Sequence, residues 1–309
     1  MVNILLLGGF GFIGSNIMKY IDLNFKNQYR VIVFDKFSTH PYSQKFECLY
    51  SSYDGDFSDS SILEKIFIEN QIDLVIHSLS TTIPISSNNA IFDIQSNLIP
   101  TLNLLDLMVK YNSRKIIYIS SGGAIYGNNN LCHRETEDVF PISSYGAIKL
   151  TIEKYLFLYS AQYEIKPLIL RLSNPYGPFH YSMKQGIINV AMSKAIRKDK
   201  IEIYGNGNNK KDYIYINDCV DILFRLYNMN LWNEIYNIGS GELLSINQII
   251  SEIKKIKPDV DYSYIEKKKL DVQSFSLDLT KLLCKLSSYK FTPFKKGIIE
   301  TYNWEKSKL

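Results

Sequence analysis

The chain has 309 residues, 46% hydrophobic and 21% charged, a balance that excludes disordered, collagen-like and membrane-embedded classes and predicts a soluble globular protein. A net charge of +4, spread along the chain, is too weak to predict nucleic-acid binding, although it suits an anionic small molecule. The four cysteines and four histidines show no metal-ligand spacing, so we expect reduced thiols and no metal site.

The first predicted element is a buried strand over residues 3 to 7, followed by a glycine-rich turn and a helix over residues 13 to 23. The apolar start has no basic leader and soon meets glycine, so we expect neither a signal peptide nor a membrane helix, and a cytoplasmic location by default. Gly8, Gly11 and Gly14 recur every third residue in GGFGFIG. Such a turn lets the backbone approach a pyrophosphate and aims a helix N-terminus at its charge.

The second predicted strand, YRVIVFD, ends at Asp35, about 20 residues beyond the glycine turn. A carboxylate here can accept hydrogen bonds from the adenosine ribose of a dinucleotide and would repel a 2′-phosphate. The sequence therefore favours NAD(H) over NADP(H), although the neighbouring Lys36 could soften that preference. Asp56, after a third predicted strand, could contact the adenine or could be an ordinary turn aspartate.

Apolar strands and helical patterns alternate as far as residue 175, which predicts an α/β fold with a Rossmann-type doubly wound parallel sheet. Residues 1–175 are the predicted NAD-binding domain, and residues 212–228 are expected to return to it. The pattern after residue 175 is irregular, with Gly, Pro and Asn turns. We therefore predict a smaller, partly interleaved substrate domain over residues 176–309.

Tyr145 and Lys149 lie four residues apart on a predicted helix, so their side chains share one face. Tyrosine titrates near pKa 10, and a nearby ammonium together with a positive nicotinamide ring would stabilise the phenolate and lower that pKa. The pair is therefore suited to general acid/base work.

Several linked motifs, GGFGFIG, Asp35, SSGGAIYG and YGAIK, resemble the extended short-chain dehydrogenase/reductase family, in its branch of nucleotide-sugar epimerases, dehydratases and reductases. The later segments LRLSNPYGP, KKDYIYINDCVD and YNIGSGELLSINQII follow the order seen in UDP-hexose 4-epimerases. The resemblance covers nearly the whole chain. It implies a nucleoside-diphosphate sugar as substrate and a homodimer formed through helices near residues 97–111 and 145–160.

The resemblance also assigns roles to residues at matched positions. On the cofactor side it implies Gly8, Gly11, Phe12, Ile13 and Gly14 at the pyrophosphate, Asp35 at the ribose, Asp56 and Phe57 at the adenine, Asn97 along the cleft, and Lys149 at the nicotinamide ribose as well as beside Tyr145. On the substrate side it implies Asn174, Ile203 and Tyr204, with Lys211 and Lys269 standing where the branch usually has arginines that grip the diphosphate.

Three departures from the family pattern affect the predicted chemistry. The hydroxyl residue that normally assists the catalytic tyrosine is replaced by Gly122, which leaves Ser121 as the nearest hydroxyl and a tentative catalytic residue. Pro100 stands in the helix after Asn97 and should kink or open it. Lysine at 211 and 269 keeps the charge of arginine but loses its planar, two-pronged hydrogen bonding.

These observations favour a reductase that converts a dTDP-4-dehydro-6-deoxyhexose to the dTDP-6-deoxyhexose for surface polysaccharide synthesis, because an existing carbonyl needs no second hydroxyl. The alternative is a UDP-hexose 4-epimerase with tightly bound NAD, which the overall likeness favours. A dehydratase is disfavoured because its Asp-Glu pair is replaced by Gly123 and Ala124. The intact Tyr145 and Lys149 pair argues against a non-catalytic dinucleotide sensor.

Overall fold

The computed structural model describes residues 1–39, 45–82, 89–127, 132–266 and 274–308. The strands are β1 (Val2–Leu7), β2 (Tyr29–Asp35), β3 (Leu49–Asp54), β4 (Leu74–His77), β5 (Lys115–Ser121), β6 (Cys132–His133), β7 (Lys166–Leu172), β8 (Asn174–Tyr176), β9 (Ile201–Tyr204), β10 (Lys210–Tyr215), β11 (Glu234–Ile238), β12 (Leu243–Ser245), β13 (Tyr262–Ile265) and β14 (Ser274–Leu277).

The α-helices are α1 (Phe12–Asn24), α2 (Ser60–Glu69), α3 (Ala90–Asp93), α4 (Ile99–Lys110), α5 (Gly122–Ile125), α6 (Ser144–Tyr163), α7 (Ile187–Arg197), α8 (Ile216–Asn228), α9 (Ile246–Ile256), α10 (Thr280–Lys285) and α11 (Phe294–Lys306). A 3₁₀ turn covers Phe37–Thr39, and a π-helical turn covers Ile94–Leu98 directly before α4. None of the helices in the described ranges combines the length and apolar character needed to cross a membrane.

The main sheet has seven parallel strands in the order β3-β2-β1-β4-β5-β7-β11. Its strands are almost continuously apolar because both faces are covered, as expected for parallel sheets. Helices α1 and α8 pack on one face, in a core cluster that continues to α7 and α9. Helices α2, α4 and α6 pack on the other face. This architecture confirms the predicted Rossmann-type fold class.

Residues 212–228 return to the main sheet only in part. Their helical portion, α8, packs against α1 on one face of the sheet. Their strand portion belongs to β10, which pairs instead with β8, β12 and β14 in a second sheet. The last strand of the main sheet is β11, because its backbone pairs in parallel with β7 over Glu234–Ile238.

The carboxyl ends of the seven parallel strands lie along one edge of the main sheet. In open α/β sheets, ligands bind at this edge, where the strand order reverses. The reversal here falls between β1 and β4, because the chain runs outward to β3 before β4 pairs with β1. The fold therefore brings the glycine turn after β1 close to the polar residues that follow β4 and β5.

Candidate active site

The glycine turn joins β1 to α1 in a conformation that side chains would obstruct. Gly8 has φ +74°, and a Cβ atom at Gly14 would lie 2.3 Å from the Gly8 carbonyl oxygen. Gly11 is the N-cap of α1 and offers no side chain to satisfy the first-turn N–H groups. The N–H groups of Phe12 and Ile13 therefore begin the helix beside an uncapped turn, which is the arrangement that suits a phosphate.

Asp35 lies at the end of β2, beside this turn, and is 4% exposed. Its carboxylate accepts a hydrogen bond from the Phe10 N–H at 2.8 Å and another from the Lys36 N–H at 2.8 Å. Lys36 Nζ forms an exposed ion pair with Asp56 at 3.3 Å. The structure therefore brings Asp35 and Asp56 to neighbouring strand ends, whereas the Phe57 side chain is buried in the core.

Tyr145 is the second residue of α6, and its hydroxyl forms a hydrogen bond with the Ser121 side chain at the end of β5. Burial raises the pKa of Tyr145 to about 12, and the bond from Ser121 acts in the opposite direction. The sequence predicts that Lys149 and a positive nicotinamide ring together lower this pKa. In the chain itself, burial outweighs any lowering, and the side chain that lowers the pKa is Ser121.

Lys149 lies one turn further along α6 and is buried. Its Nζ donates to the Ile119 carbonyl oxygen at 2.9 Å and lies 5.8 Å from the centre of the Tyr145 ring. Burial lowers the pKa of Lys149 to about 8, and the charge of Glu153 partly offsets this effect. Lys149 therefore loses its proton closer to neutral pH than an exposed lysine does, in a site that it shares with Tyr145.

Asn97 lines the same small cavity as Tyr145 and Lys149. Its Oδ1 accepts from the Thr81 N–H at 2.9 Å, and its Nδ2 donates to Thr81 Oγ1 at 2.7 Å. These bonds join the loop after β4 to the π-helical turn that precedes Pro100. The sequence predicts that Pro100 opens the helix locally, and the π-helical turn is such an opening.

His77, at the end of β4, also lines the cavity, although it is not among the predicted site residues. Its Nε2 lies 3.1 Å from Thr101 Oγ1, whose own proton is donated to the Asn97 carbonyl at 2.6 Å. His77 Nε2 is therefore the donor in that pair. Burial lowers the pKa of His77 to about 3, so the ring is neutral.

The predicted substrate residues lie in the two smaller sheets. Asn174 begins β8, and its Nδ2 donates to the Asp212 carbonyl at 2.8 Å on β10, the strand that also carries Lys211. Ile203 and Tyr204 end β9, where Ile203 is buried and Tyr204 is 37% exposed. The structure brings Asn174 and Lys211 to neighbouring strands, whereas Lys269 lies outside the described residues.

Gly122, the position where the family has a hydroxyl, is covered by an apolar side chain from β14. A Cβ atom at Gly122 would lie 2.9 Å from Leu277 Cδ2, and Leu277 is 3% exposed. The adjacent Gly123 has room, since its nearest neighbour would be Phe275 Cε1 at 3.9 Å. Leu277 thus fills the space beside Gly122, and the hydroxyl next to Tyr145 is that of Ser121.

The residues of the glycine turn fit a dinucleotide. A Cβ atom at Gly8 would meet the Leu79 backbone and one at Gly14 would meet the Gly8 carbonyl oxygen, so the turn beside the uncapped helix start stays bare of side chains. A buried carboxylate, Asp35, stands beside this turn. In the described part of the chain, no cluster of three His, Cys, Asp or Glu side chains could hold a metal ion.

Two buried residues near the site, Glu153 and Arg171, are not among the sequence predictions. They form an ion pair with 2.6 Å between Nη2 and Oε2. The signal for Glu153 is its position four residues after Lys149, on the same helix face. Arg171 has no comparable signal, because its pairing depends on how α6 lies across β7.

Comparisons with known proteins agree with this arrangement. The model of the NAD dependent epimerase/dehydratase family matches residues 4–239. The chain is 33% identical to a putative UDP-glucose 4-epimerase of Methanocaldococcus jannaschii over 98% of each chain. It is 30% identical to a dTDP-4-dehydro-6-deoxyglucose reductase of Escherichia coli, over 81% of this chain and 80% of the relative.

Among solved structures, the chain resembles a UDP-glucose 4-epimerase of Thermotoga maritima with UDP-glucose. The TM-score is 0.89 and the identity 31%, over 99% of each chain. It also resembles a UDP-N-acetylglucosamine 4-epimerase of Methanobrevibacter ruminantium, with a TM-score of 0.87 and 26% identity over 100% of this chain and 99% of that one. With the fold, the glycine turn and the Tyr145 and Lys149 helix, these likenesses establish that the chain belongs to the NAD-dependent epimerase/dehydratase family.

Proposed function

We propose that this enzyme is a UDP-hexose 4-epimerase in which Tyr145 is the acid/base residue, Lys149 its charged partner and Ser121 the assisting hydroxyl. The observation that carries the proposal is the hydrogen bond between Ser121 and Tyr145. It supplies the second hydroxyl whose absence at Gly122 favoured a reductase. Full-length likeness to UDP-glucose 4-epimerases supports the same choice.

The chemistry assigned to each side chain follows from its surroundings. The bound NAD would accept a hydride from C4 of the sugar and return it. Tyr145 Oη takes the proton of the sugar 4-hydroxyl. It gives the proton back after the ketone has rotated to present its opposite face for hydride return. The Ser121 hydroxyl donates its single proton to Tyr145 Oη, which lowers the energy of the phenolate. The Lys149 ammonium stabilises that negative charge from one helical turn away.

We propose that Gly8, Gly11, Phe12 and Ile13 hold the cofactor pyrophosphate, Gly14 allows that approach, and Asp35 binds the ribose. The buried carboxylate of Asp35 supports NAD(H) over NADP(H), because it would repel a 2′-phosphate. Asp56 and Phe57 are proposed at the adenine, Asn97 along the cleft, and Asn174, Ile203, Tyr204, Lys211 and Lys269 on the nucleotide-sugar. Cytoplasmic location and surface polysaccharide synthesis stay predictions of the sequence.

The second candidate is the dTDP-4-dehydro-6-deoxyhexose reductase that the sequence favours. One observation still supports it: glycine at position 122, covered by Leu277, leaves one hydroxyl fewer around the reacting oxygen than the family pattern has. The E. coli reductase relative supports it as well. A reductase needs Tyr145 only as a proton donor to the carbonyl oxygen.

One paired assay distinguishes the two candidates. We expect purified protein to convert UDP-glucose to UDP-galactose with no added cofactor, and to leave NADH and NADPH unchanged when given dTDP-4-dehydro-6-deoxyglucose. Stoichiometric loss of the reduced-nicotinamide absorbance with the second sugar, and no conversion of the first, would make the protein a reductase. Activity with neither sugar would contradict both candidates.

We also propose that the enzyme is a homodimer. The stretch from α3 into α4 exposes four large apolar side chains, a patch that a second copy would cover. They are Ile91, Phe92, Ile94 and Ile99.

We expect sedimentation velocity to give a dimer for the wild type and for Ile68→Glu, a control on the exposed surface of α2, and a monomer for Phe92→Glu. A monomeric wild type at micromolar concentration would contradict the proposed dimer.

A further inference from the structure

The face of α6 that carries Tyr145 and Lys149 makes a third contact with β5, one turn further along. The Ser120 hydroxyl donates to Glu153 Oε1 at 2.5 Å, and both side chains are buried. Because Tyr145, Lys149 and Glu153 are spaced by four residues, they lie on one helix face. Together they contact the three consecutive strand residues 119 to 121.

Arg171 on β7 neutralises Glu153 inside the core. Arg171 Nη2 lies 2.6 Å from Glu153 Oε2 and Nε lies 3.1 Å from Oε1, and the two side chains are 3% and 1% exposed. An unpaired carboxylate this deeply buried would cost several kcal/mol. The ion pair therefore allows Glu153 to remain charged while it holds Ser120.

The ion pair continues into the turn that follows Ser121. Arg171 Nη1 donates to the Tyr126 hydroxyl at 2.9 Å, directly after α5. The Tyr126 hydroxyl in turn donates to Asn237 Oδ1 at 2.8 Å on β11. One buried network thus joins α6 to β5, β7 and β11. It includes residues that come before and after Ser121 in the chain.

We propose that Glu153 and Arg171 are positioning residues that set the register of α6 against the end of β5 and so keep Tyr145 within reach of Ser121. The inference rests on the proposed function, since it assigns the chemistry to Tyr145 and Lys149. A helix shifted by about 1 Å at such a site can slow turnover a hundredfold. Two buried contacts behind Lys149 hold α6 against that shift.

The pair also acts on the charge of Lys149. Glu153 raises the pKa of Lys149 against the lowering caused by burial. Removing only the carboxylate charge should therefore let Lys149 lose its proton at a lower pH. The titratable groups that face Lys149 are His77 on β4, Tyr118 on β5, and Tyr145 and Glu153 on α6, with Arg171 on β7 behind Glu153.

The geometric part is tested with Ser120→Ala, which removes the contact and leaves the ion pair intact. We expect kcat to fall about tenfold, with the KM for the sugar and the affinity for NADH within twofold of the wild type. Ser160→Ala removes a hydroxyl from the far end of the same helix, where it donates to Asn233, and should leave kcat unchanged. Wild-type kcat in Ser120→Ala would overturn the proposal.

The electrostatic part is tested with Glu153→Gln, which keeps the acceptor for Ser120 but not the charge. We expect the alkaline limb of the kcat profile to move about one pH unit lower. The double variant Glu153→Gln with Arg171→Met leaves no unpaired buried charge but still lacks the carboxylate that raises the pKa of Lys149, so its alkaline limb should also lie below that of the wild type. A folded Glu153→Gln with the wild-type limb would overturn this part, and the double variant decides if the single one does not fold.

These outcomes separate the inference from the proposed function. A wild type that turns over neither UDP-glucose nor dTDP-4-dehydro-6-deoxyglucose contradicts the proposed function. An active wild type, an inactive Tyr145→Phe and a fully active Ser120→Ala contradict only the positioning roles of Glu153 and Arg171.

Discussion

At the scale of single residues, the site depends on a hydroxyl that has an unusual place in the chain. Gly122 is covered by Leu277, and Ser121, one residue earlier, hydrogen-bonds to Tyr145. Burial makes Tyr145 a poor base near neutral pH, because its pKa rises to about 12 even with the bond from Ser121. That bond is the feature of the chain that favours the phenolate.

Ser121→Ala tests this role. Loss of the bond removes the one hydrogen bond that lowers the pKa of Tyr145, so we expect kcat for sugar oxidation to fall by about 10- to 100-fold. Since phenolate then forms only at higher pH, the acid limb of the rate should move upward in pH. A rate and a profile equal to those of the wild type would show that Ser121 takes no part.

The sequence predicts part of this site and not the rest, for a physical reason. Tyr145 and Lys149 are found from spacing because a helix places residues four apart on one face whatever surrounds it. The bond from Ser121 to Tyr145 and the pairing of Glu153 with Arg171 depend on how α6 lies across β5 and β7. No local pattern records that packing.

At the scale of elements, the glycine turn is a part of the site with little steric tolerance. A Cβ atom at Gly14 would lie 2.3 Å from the Gly8 carbonyl oxygen and 2.5 Å from Gly9 Cα, and backbone atoms cannot move aside as a flexible side chain can. We propose that the same turn positions the start of α1 for the cofactor.

We therefore expect Gly14→Ala to lower the affinity for NADH more than tenfold, and to lower the melting temperature, because α1 must move away from the turn. Gly123→Ala is the matched control, since its new Cβ atom would meet only Phe275 Cε1 at 3.9 Å. Titration by NADH fluorescence and thermal unfolding measure both effects. Equal affinities in the two variants would contradict the role of the turn.

Residues 212–228 contact two different sheets of the molecule. The sequence predicts that this stretch returns to the main domain, and its helix, α8, packs on the main sheet. The choice of partner for the strand before it is non-local, since β10 pairs with β8, β12 and β14. Strand patterns indicate burial but do not identify the neighbouring strand.

At the scale of the whole molecule, two buried histidines make stability depend on pH. Burial lowers the pKa of His77 to about 3 and that of His180 to about 4, compared with 6.5 for an exposed ring. Below pH 6.5 the unfolded chain binds protons that the folded chain does not, so stability falls as pH falls. Each ring contributes about 1.4 kcal/mol per pH unit until its folded pKa is reached.

We expect the free energy of unfolding in urea to decrease from pH 7 to pH 4.5, and the slope to be smaller in His180→Gln by about 1.4 kcal/mol per pH unit. His180 packs against Phe12 at the start of α1, so the variant should also be less stable at pH 7. Equal slopes in the two proteins would mean that His180 does not stay neutral in the folded state.

We propose that Tyr145 moves the proton in a reaction at C4 of a nucleotide-sugar, and the turnover of Tyr145→Phe tests this role most directly. Tyr163→Phe, an exposed tyrosine at the end of the same helix, is the control. We predict that Tyr145→Phe binds NADH like the wild type but loses at least a hundredfold in conversion of UDP-glucose to UDP-galactose, while Tyr163→Phe stays active. Wild-type turnover by Tyr145→Phe would contradict the account.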